Sequence, residues 1–152
     1  MPSSSCERKV MIPIEEIWNF ISDMNNWAPL VPGYKTHTMI NNEQSIWVCK
    51  GDIGAIQKTV QLTIFITEWR QPEKVAFTLS NTSKQLVGQG YFQAEKLCNK
   101  QTKIIGSLTI TVKGLSGKII NSALRAILPK IIANFTDTVI KQIQEKKPAV
   151  MQ

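Results

Sequence analysis

A chain of 152 residues, 43% hydrophobic and 19% charged, has room for a real core in one domain, and no break in composition argues for two. No apolar run approaches the roughly 20 residues of a membrane-crossing helix, and Met1-Pro2-Ser3-Ser4-Ser5 lacks the apolar segment of a secretory leader, so the expected setting is the cytoplasm. The net charge of +7 arises from 18 basic and 11 acidic residues that are scattered and interspersed, without the basic stripe interleaved with aromatics that would point to nucleic acid. The densest basic points, Arg8-Lys9 and Lys146-Lys147, sit near the termini, where solvated ends are the default and a weak contact with acidic lipid is the sharper alternative.

Cys6 to Ile12 reads as a first strand, ended by Pro13, which suits the first turn of a helix. Ile14, Ile17, Trp18 and Ile21 share one face of that helix, which stops near Asp23. Beyond Asn25-Asn26-Trp27, the prolines Pro29 and Pro32 with Gly33 forbid a long helix and allow only a short turn around Trp27. Hairpins follow: Lys35 to Ile40, a turn at Asn41-Asn42-Glu43, then Gln44 to Lys50, with Gly51 to Gly54 as an interruption. Ala55 to Arg70 is a long strand with Val60, Leu62, Ile64 and Ile66 in strict alternation, ended by Gln71-Pro72-Glu73. Val75, Phe77 and Leu79 mark the next strand, and Gln85 to Leu97 the one after, in which Gly88 and Gly90 signal a bend or a close approach of another group. The last strand alternates Ile104, Gly106, Leu108, Ile110 and Val112, and Gly114-Leu115-Ser116-Gly117 opens a final helix.

That helix, Gly117 to Lys146, carries Ile120, Leu124, Ile127, Leu128, Ile131, Phe135, Val139 and Ile143 at steps of three and four, interrupted only by Pro129. A stripe of this length needs a broad cover, and the preceding strands are the only candidate. The order of strand, helix pair, six strands and long helix is α+β and has none of the alternation of a parallel sheet. A sheet curled around a long helix leaves a space lined by Ile, Leu, Val and Phe, which suits a greasy ligand better than proton transfer. Pro129 predicts a kinked or loosened turn near Arg125 to Leu128, either a gate or a fixed bend that follows the sheet.

Residues able to carry catalysis or hold a metal are sparse. Cys6, Cys49 and Cys98 are far apart, with one histidine, His37, to join them, which argues against structural zinc or a disulfide framework. His37 and Cys49 fall on neighbouring strands of one predicted hairpin, but a solvent-facing histidine is the commoner outcome there. Asp23, Asp52, Glu68 and Glu95 are the carboxylates available for acid and base work, all at helix ends, turns or strand ends where solvated charge is ordinary. No spacing matches a metal site, Gly51-Asp52-Ile53-Gly54 is too short for a phosphate loop, and no cofactor is expected. The glycosylation-type triplets at Asn81 and Asn134 carry no meaning without a secretory route.

Pro13 to Asp23, with its Ile17-Trp18-Asn19-Phe20-Ile21 centre, followed by Trp27-Ala28-Pro29-Leu30-Val31-Pro32-Gly33-Tyr34, resembles the N-terminal signature of the CoxG family of carbon monoxide dehydrogenase proteins. The likeness continues through Thr59 to Ile66, Glu68-Trp69, Pro72, Gly88-x-Gly90 and Gly106-Ser107-Leu108-Thr109-Ile110, over nearly the whole chain. That family is part of the SRPBCC superfamily of START, Bet v 1-like and polyketide cyclase proteins. The resemblance implies a helix-grip fold over residues 1–147, a seven-stranded antiparallel sheet around the C-terminal helix, followed by a short flexible tail at 148–152. It also implies lipid or quinone binding and an accessory role beside molybdenum hydroxylases at a membrane. Some members continue into an apolar anchor, whereas Pro148-Ala149-Val150-Met151-Gln152 is too short to be one.

The expected pocket lining is Ile66, Phe77, Phe92, Leu108 and Ile110 from the sheet with Leu124, Leu128, Ile131 and Phe135 from the helix; Ser80 and Thr109 are the candidate polar exceptions. Trp27, Leu30 and Val31 form the loop at the pocket mouth, able to close the pocket or to touch lipid. The leading expectation is a non-enzymatic carrier of a small hydrophobic molecule, peripheral membrane contact included. A cyclase or aromatase-type enzyme, and an accessory docking on a partner enzyme, stay open as alternatives.

Overall fold

Each stretch in which apolar and polar residues alternate forms a strand, and all of these strands join one sheet. The computed structural model describes residues 2–53, 56–114 and 117–146. The expected tail at 148–152 and parts of both glycine-containing linkers lie outside the described residues. In chain order the elements are β1 (Ser3–Val10), α1 (Ile14–Ile21), α2 (Met24–Trp27), a 3-10 turn (Ala28–Leu30), β2 (Tyr34–Met39), β3 (Gln44–Ile53), β4 (Ile56–Arg70), β5 (Lys74–Asn81), β6 (Leu86–Cys98), β7 (Gln101–Val112) and α3 (Gly117–Lys146).

The seven strands form one antiparallel sheet in the order β1-β7-β6-β5-β4-β3-β2. This is the helix-grip, Bet v 1-like architecture that the resemblance implied. Register shifts between Tyr34 and Thr36, Ile66 and Glu68, and Lys96 and Cys98 bend three strands, because an extra residue on one side of a ladder deepens the local twist. Gly51 does not interrupt β3, which continues to Ile53 and pairs it with Ile56.

Helix α3 packs mainly against β1 and β7. It comes close at Gly106, where an added Cβ would stand 2.7 Å from Thr136 Oγ1. The buried face of α3 runs through Leu124, Leu128, Ile132, Thr136, Val139 and Ile143, so Ile132 and the polar Thr136 belong to it and Ile127 only partly does. Pro129 sits on the exposed side, and the helix runs through it from Gly117 to Lys146. Helix α1 buries Ile14, Ile17, Trp18, Phe20 and Ile21 into the main apolar cluster. The Asp23 side chain accepts from the Asn25 amide at 3.0 Å and so starts α2.

Candidate ligand cavity

Between the concave face of β3 to β7, α3 and the segment from Ile21 to Pro32 lies a cavity of about 210 Å³. Strand alternation points Trp47 and Cys49 of β3, Leu62 and Ile64 of β4, Val75, Phe77 and Leu79 of β5, Phe92 of β6, and Leu108 and Ile110 of β7 into it. Helix α3 adds Ile131, Ile132, Phe135 and Val139. Ile64, Val75, Phe92 and Val139 are buried and form a floor, whereas Val31, Leu62, Leu86 and Ile110 are only half-buried and Pro32 is exposed. Of these more exposed lining residues, Leu86 lies at the start of β6 and Ile110 near the end of β7, at one end of the sheet.

Trp27 covers one side of this space. Its ring centroid is 5.9 Å from Trp47, 6.2 Å from Phe77 and 6.3 Å from Phe135. The Trp27 indole donates to the Ile21 carbonyl at 2.9 Å, and the Trp47 indole donates to Ser45 Oγ at 2.9 Å. Both indole donors are thus spent on the protein, and the rings present apolar surface to the cavity. The mouth segment is held to β3 at Gly33, which has φ +85 and whose carbonyl accepts from the Lys50 amide at 2.7 Å. A Cβ there would lie 2.3 Å from the Lys50 carbonyl oxygen, so only glycine fits.

Among the described residues, no Asp, Glu, Lys, Arg or His is on the lining. Cys49, Tyr91 and Ser107 are the polar members. Burial pushes the Cys49 thiol up from its ordinary value, the opposite of an activated nucleophile. The Tyr91 ring lies under Lys74 Nζ at 4.7 Å. Ser80 and Thr109 are not on the lining, and Thr109 instead shares a 2.8 Å hydrogen bond with Ser3.

The expected acid and base candidates are engaged elsewhere. Glu68 pairs with Arg70 and Lys74, Glu95 with Lys103, and Asp23 caps α2; the Asp52 side chain lies outside the described residues. His37 does not simply face solvent: its ring nitrogens meet Tyr34 OH and, at 2.7 Å, Asn25 Oδ1. Across the β2–β3 ladder Tyr34, not His37, stands opposite Cys49, and His37 stands opposite Trp47. Among the described residues no group of three metal-ligating side chains comes together.

Of the residues expected on the lining, Phe77, Phe92, Leu108, Ile110, Ile131 and Phe135 are there, and so are Trp27 and Val31 of the expected mouth loop. Ile66, Leu124 and Leu128 are buried but off the lining, and Leu30 is packed against the core. Leu124 and Leu128 lie on the first half of α3, beyond the turns from Ile131 to Val139 that wall the cavity. Ile66 adjoins the β4 bulge, past the floor residue Ile64. Sequence reasoning missed thirteen of the lining residues: Ile21 and Pro32 before the sheet, Trp47, Cys49, Leu62, Ile64, Val75, Leu79, Leu86, Tyr91 and Ser107 on it, and Ile132 and Val139 on α3. The alternation carried a signal for the sheet residues, but choosing which of them reach the cavity needed the position of α3.

A family model described only by likeness ("-like") matches residues 1–147. No curated protein matches the chain. Among solved structures, a conserved protein from Geobacillus kaustophilus is 14% identical, with 94% of this chain and 95% of that one covered and a TM-score of 0.75. The Zhui aromatase/cyclase from Streptomyces sp. R1128 is 12% identical over 97% of this chain and 96% of its own, with a TM-score of 0.67. A START superfamily protein from Mycobacterium smegmatis is 14% identical over 93% and 98%, with a TM-score of 0.66. At these identities the likeness is one of fold. The chain belongs to the family whose model spans residues 1–147, and it has the helix-grip fold of these structural neighbours, a START superfamily protein among them.

Proposed function

We propose that this protein binds and carries a small hydrophobic molecule in the cavity between its sheet and α3, a lipid or a quinone being the leading ligand classes. One observation carries the reading: among the described residues the lining has no charged side chain, and its indole donors are already bonded to protein. Water in such a space lacks the partners it needs, so an apolar molecule has little to displace. Each ligand CH2 buried there is worth about 0.8 kcal/mol. The volume of about 210 Å³ falls below the span of ~300–1,000 Å³ usual for drug-sized ligands. It suits a compact apolar molecule, or one segment of a chain whose remainder leaves through the mouth.

The aromatase/cyclase likeness supports an enzymatic alternative, but acid and base catalysis needs a titratable group within reach of the substrate. Cys49 and Tyr91 are the titratable groups on the lining, and the thiol is held in its neutral form by burial. A CoxG-type accessory, docked on a molybdenum hydroxylase, is the third reading; it shares the cavity and adds a partner.

The test is native mass spectrometry of protein from its own host, followed by organic extraction and identification of the released material. A lipid or quinone at near-stoichiometric occupancy is the expected result. An empty protein that also ignores a panel of lipids and quinones overturns the carrier reading.

A further inference from the structure

We propose that the cavity recognises its ligand through a hydroxyl group, and takes an apolar alcohol or phenol in preference to the ether, ester or ketone of the same shape. The acceptor is the main-chain carbonyl of Ser107. This rests on the carrier reading and names the ligand chemistry of the same site. The strong side-chain donors beside the cavity are engaged. The Trp27 indole is bonded to the Ile21 carbonyl, the Trp47 indole to Ser45 Oγ, and the Ser45 hydroxyl in turn donates to Met24 Sδ at 2.9 Å. Cys49 carries a free thiol on the lining, but a thiol is only a weak donor.

Tyr91 and Ser107 border the cavity with their main chains. On β7 the side chain of Leu108 points into the cavity, so alternation puts that of Ser107 on the opposite face of the sheet, where Thr109 shares its hydrogen bond with Ser3. Tyr91 stands opposite Ser107 in the β6–β7 ladder, and its ring lies on the same outer face under Lys74. Bare backbone of a paired strand has one sign. Each N–H has a single hydrogen, which the ladder uses, whereas each carbonyl oxygen keeps a second lone pair. Gly90 leaves the Ser107 oxygen uncovered by its own strand partner, since a Cβ there would stand 2.6 Å from it. The nearest other cover is the edge of the Phe77 ring, which also lines the cavity and can swing aside. A ligand O–H thus finds a partner where an ether or ketone oxygen is left unpaired. Of the ligand classes proposed above, this favours a quinol over its quinone and a lipid alcohol over its ester.

The experiment titrates the full chain with thymol, thymol methyl ether and the parent hydrocarbon p-cymene, compact molecules that differ at one position. Ser107-Leu108 is the one Ser-Leu step in the sequence. Protein labelled at the serine carbonyl carbon and the leucine amide nitrogen therefore gives a single carbonyl–amide NMR correlation, which reports this carbonyl. Thymol is expected to bind on the order of tenfold more tightly than its ether, although the ether is the more apolar, and to move the Ser107 carbonyl signal downfield. The ether and p-cymene should leave that signal nearly in place. Gly90→Ala, which sets a methyl group against the oxygen, should bring the ratio of the two affinities close to one. Equal or tighter binding of the ether, thymol binding with an unmoved Ser107 signal, or an undiminished ratio in Gly90→Ala would each overturn the hydroxyl inference and leave carriage standing. Failure of all three molecules to bind would reject carriage in this cavity and the inference with it. The correlation is recorded on the unaltered chain, so the test stands even where the alanine variant folds poorly.

Discussion

Phe77 stands opposite Gly90 in the β5–β6 ladder, and its ring fills the space that a side chain at position 90 would need. A Cβ on Gly90 would come within 2.7 Å of Phe77 Cζ and 2.6 Å of the Ser107 carbonyl oxygen. The Phe77 ring can swing aside, but the carbonyl belongs to the β6–β7 ladder and has little freedom to move, so the strain would fall on the ladder itself. Gly90→Ala is expected to cost about 1–3 kcal/mol, read as a lower urea midpoint at unchanged slope. An unaltered midpoint would mean that the ring and sheet relax freely.

Trp27 is 7% exposed and holds together Trp47, Phe77 and Phe135. Trp27→Ala should lose about 3–5 kcal/mol, since both buried area and packing go. Trp27→Phe should lose much less in packing, with about 0.5–1.5 kcal/mol for the hydrogen bond to the Ile21 carbonyl. Chemical denaturation of the two variants separates the terms; similar losses in both would contradict the dominance of ring packing.

The cavity boundary can be tested by filling it. Leu108 lines the cavity and is half-buried, whereas Leu128 is 0% exposed and off the lining. Leu108→Trp should therefore abolish uptake of an apolar probe with a stability change below about 1.5 kcal/mol, because the ring has space to enter. Leu128→Trp should instead overpack and destabilise by about 1–3 kcal/mol. Calorimetry and probe titration on both proteins check this; the reverse ranking would relocate the cavity wall.

Cys49 gives a pH signature. Burial raises its folded-state pKa above that of the unfolded thiol, about 8.5. The folded chain then binds more protons than the unfolded chain at alkaline pH, so this contribution is complete below the unfolded pKa and is lost as pH rises toward the folded one. Cys49→Val should flatten the decline in Tm above neutral pH, and Cys49 should alkylate more slowly than the exposed Cys98. Equal alkylation rates would show that the thiol is reached by water.

The strands were legible because each has one face on the core, and a period of two then appears directly, as in Val60, Leu62, Ile64 and Ile66. The long helix was legible by the same logic at period 3.6. Its stripe was less so: Ile132 and Thr136 are buried because Gly106 lets α3 come close at that point, and a threonine within an apolar face gives no sign of that.

By itself the sequence determined the elements, their order and the apolar character of whatever lies between sheet and helix, because burial on one face imposes a local period that a single chain displays. The tertiary structure alone decided which apolar residues touch empty space and which touch each other. Leu128 and Phe135 carry the same hydrophobic signal, but only Phe135 borders the cavity. The difference lies in where α3 rests on β1 and β7, and that is set by contacts between segments far apart in the chain.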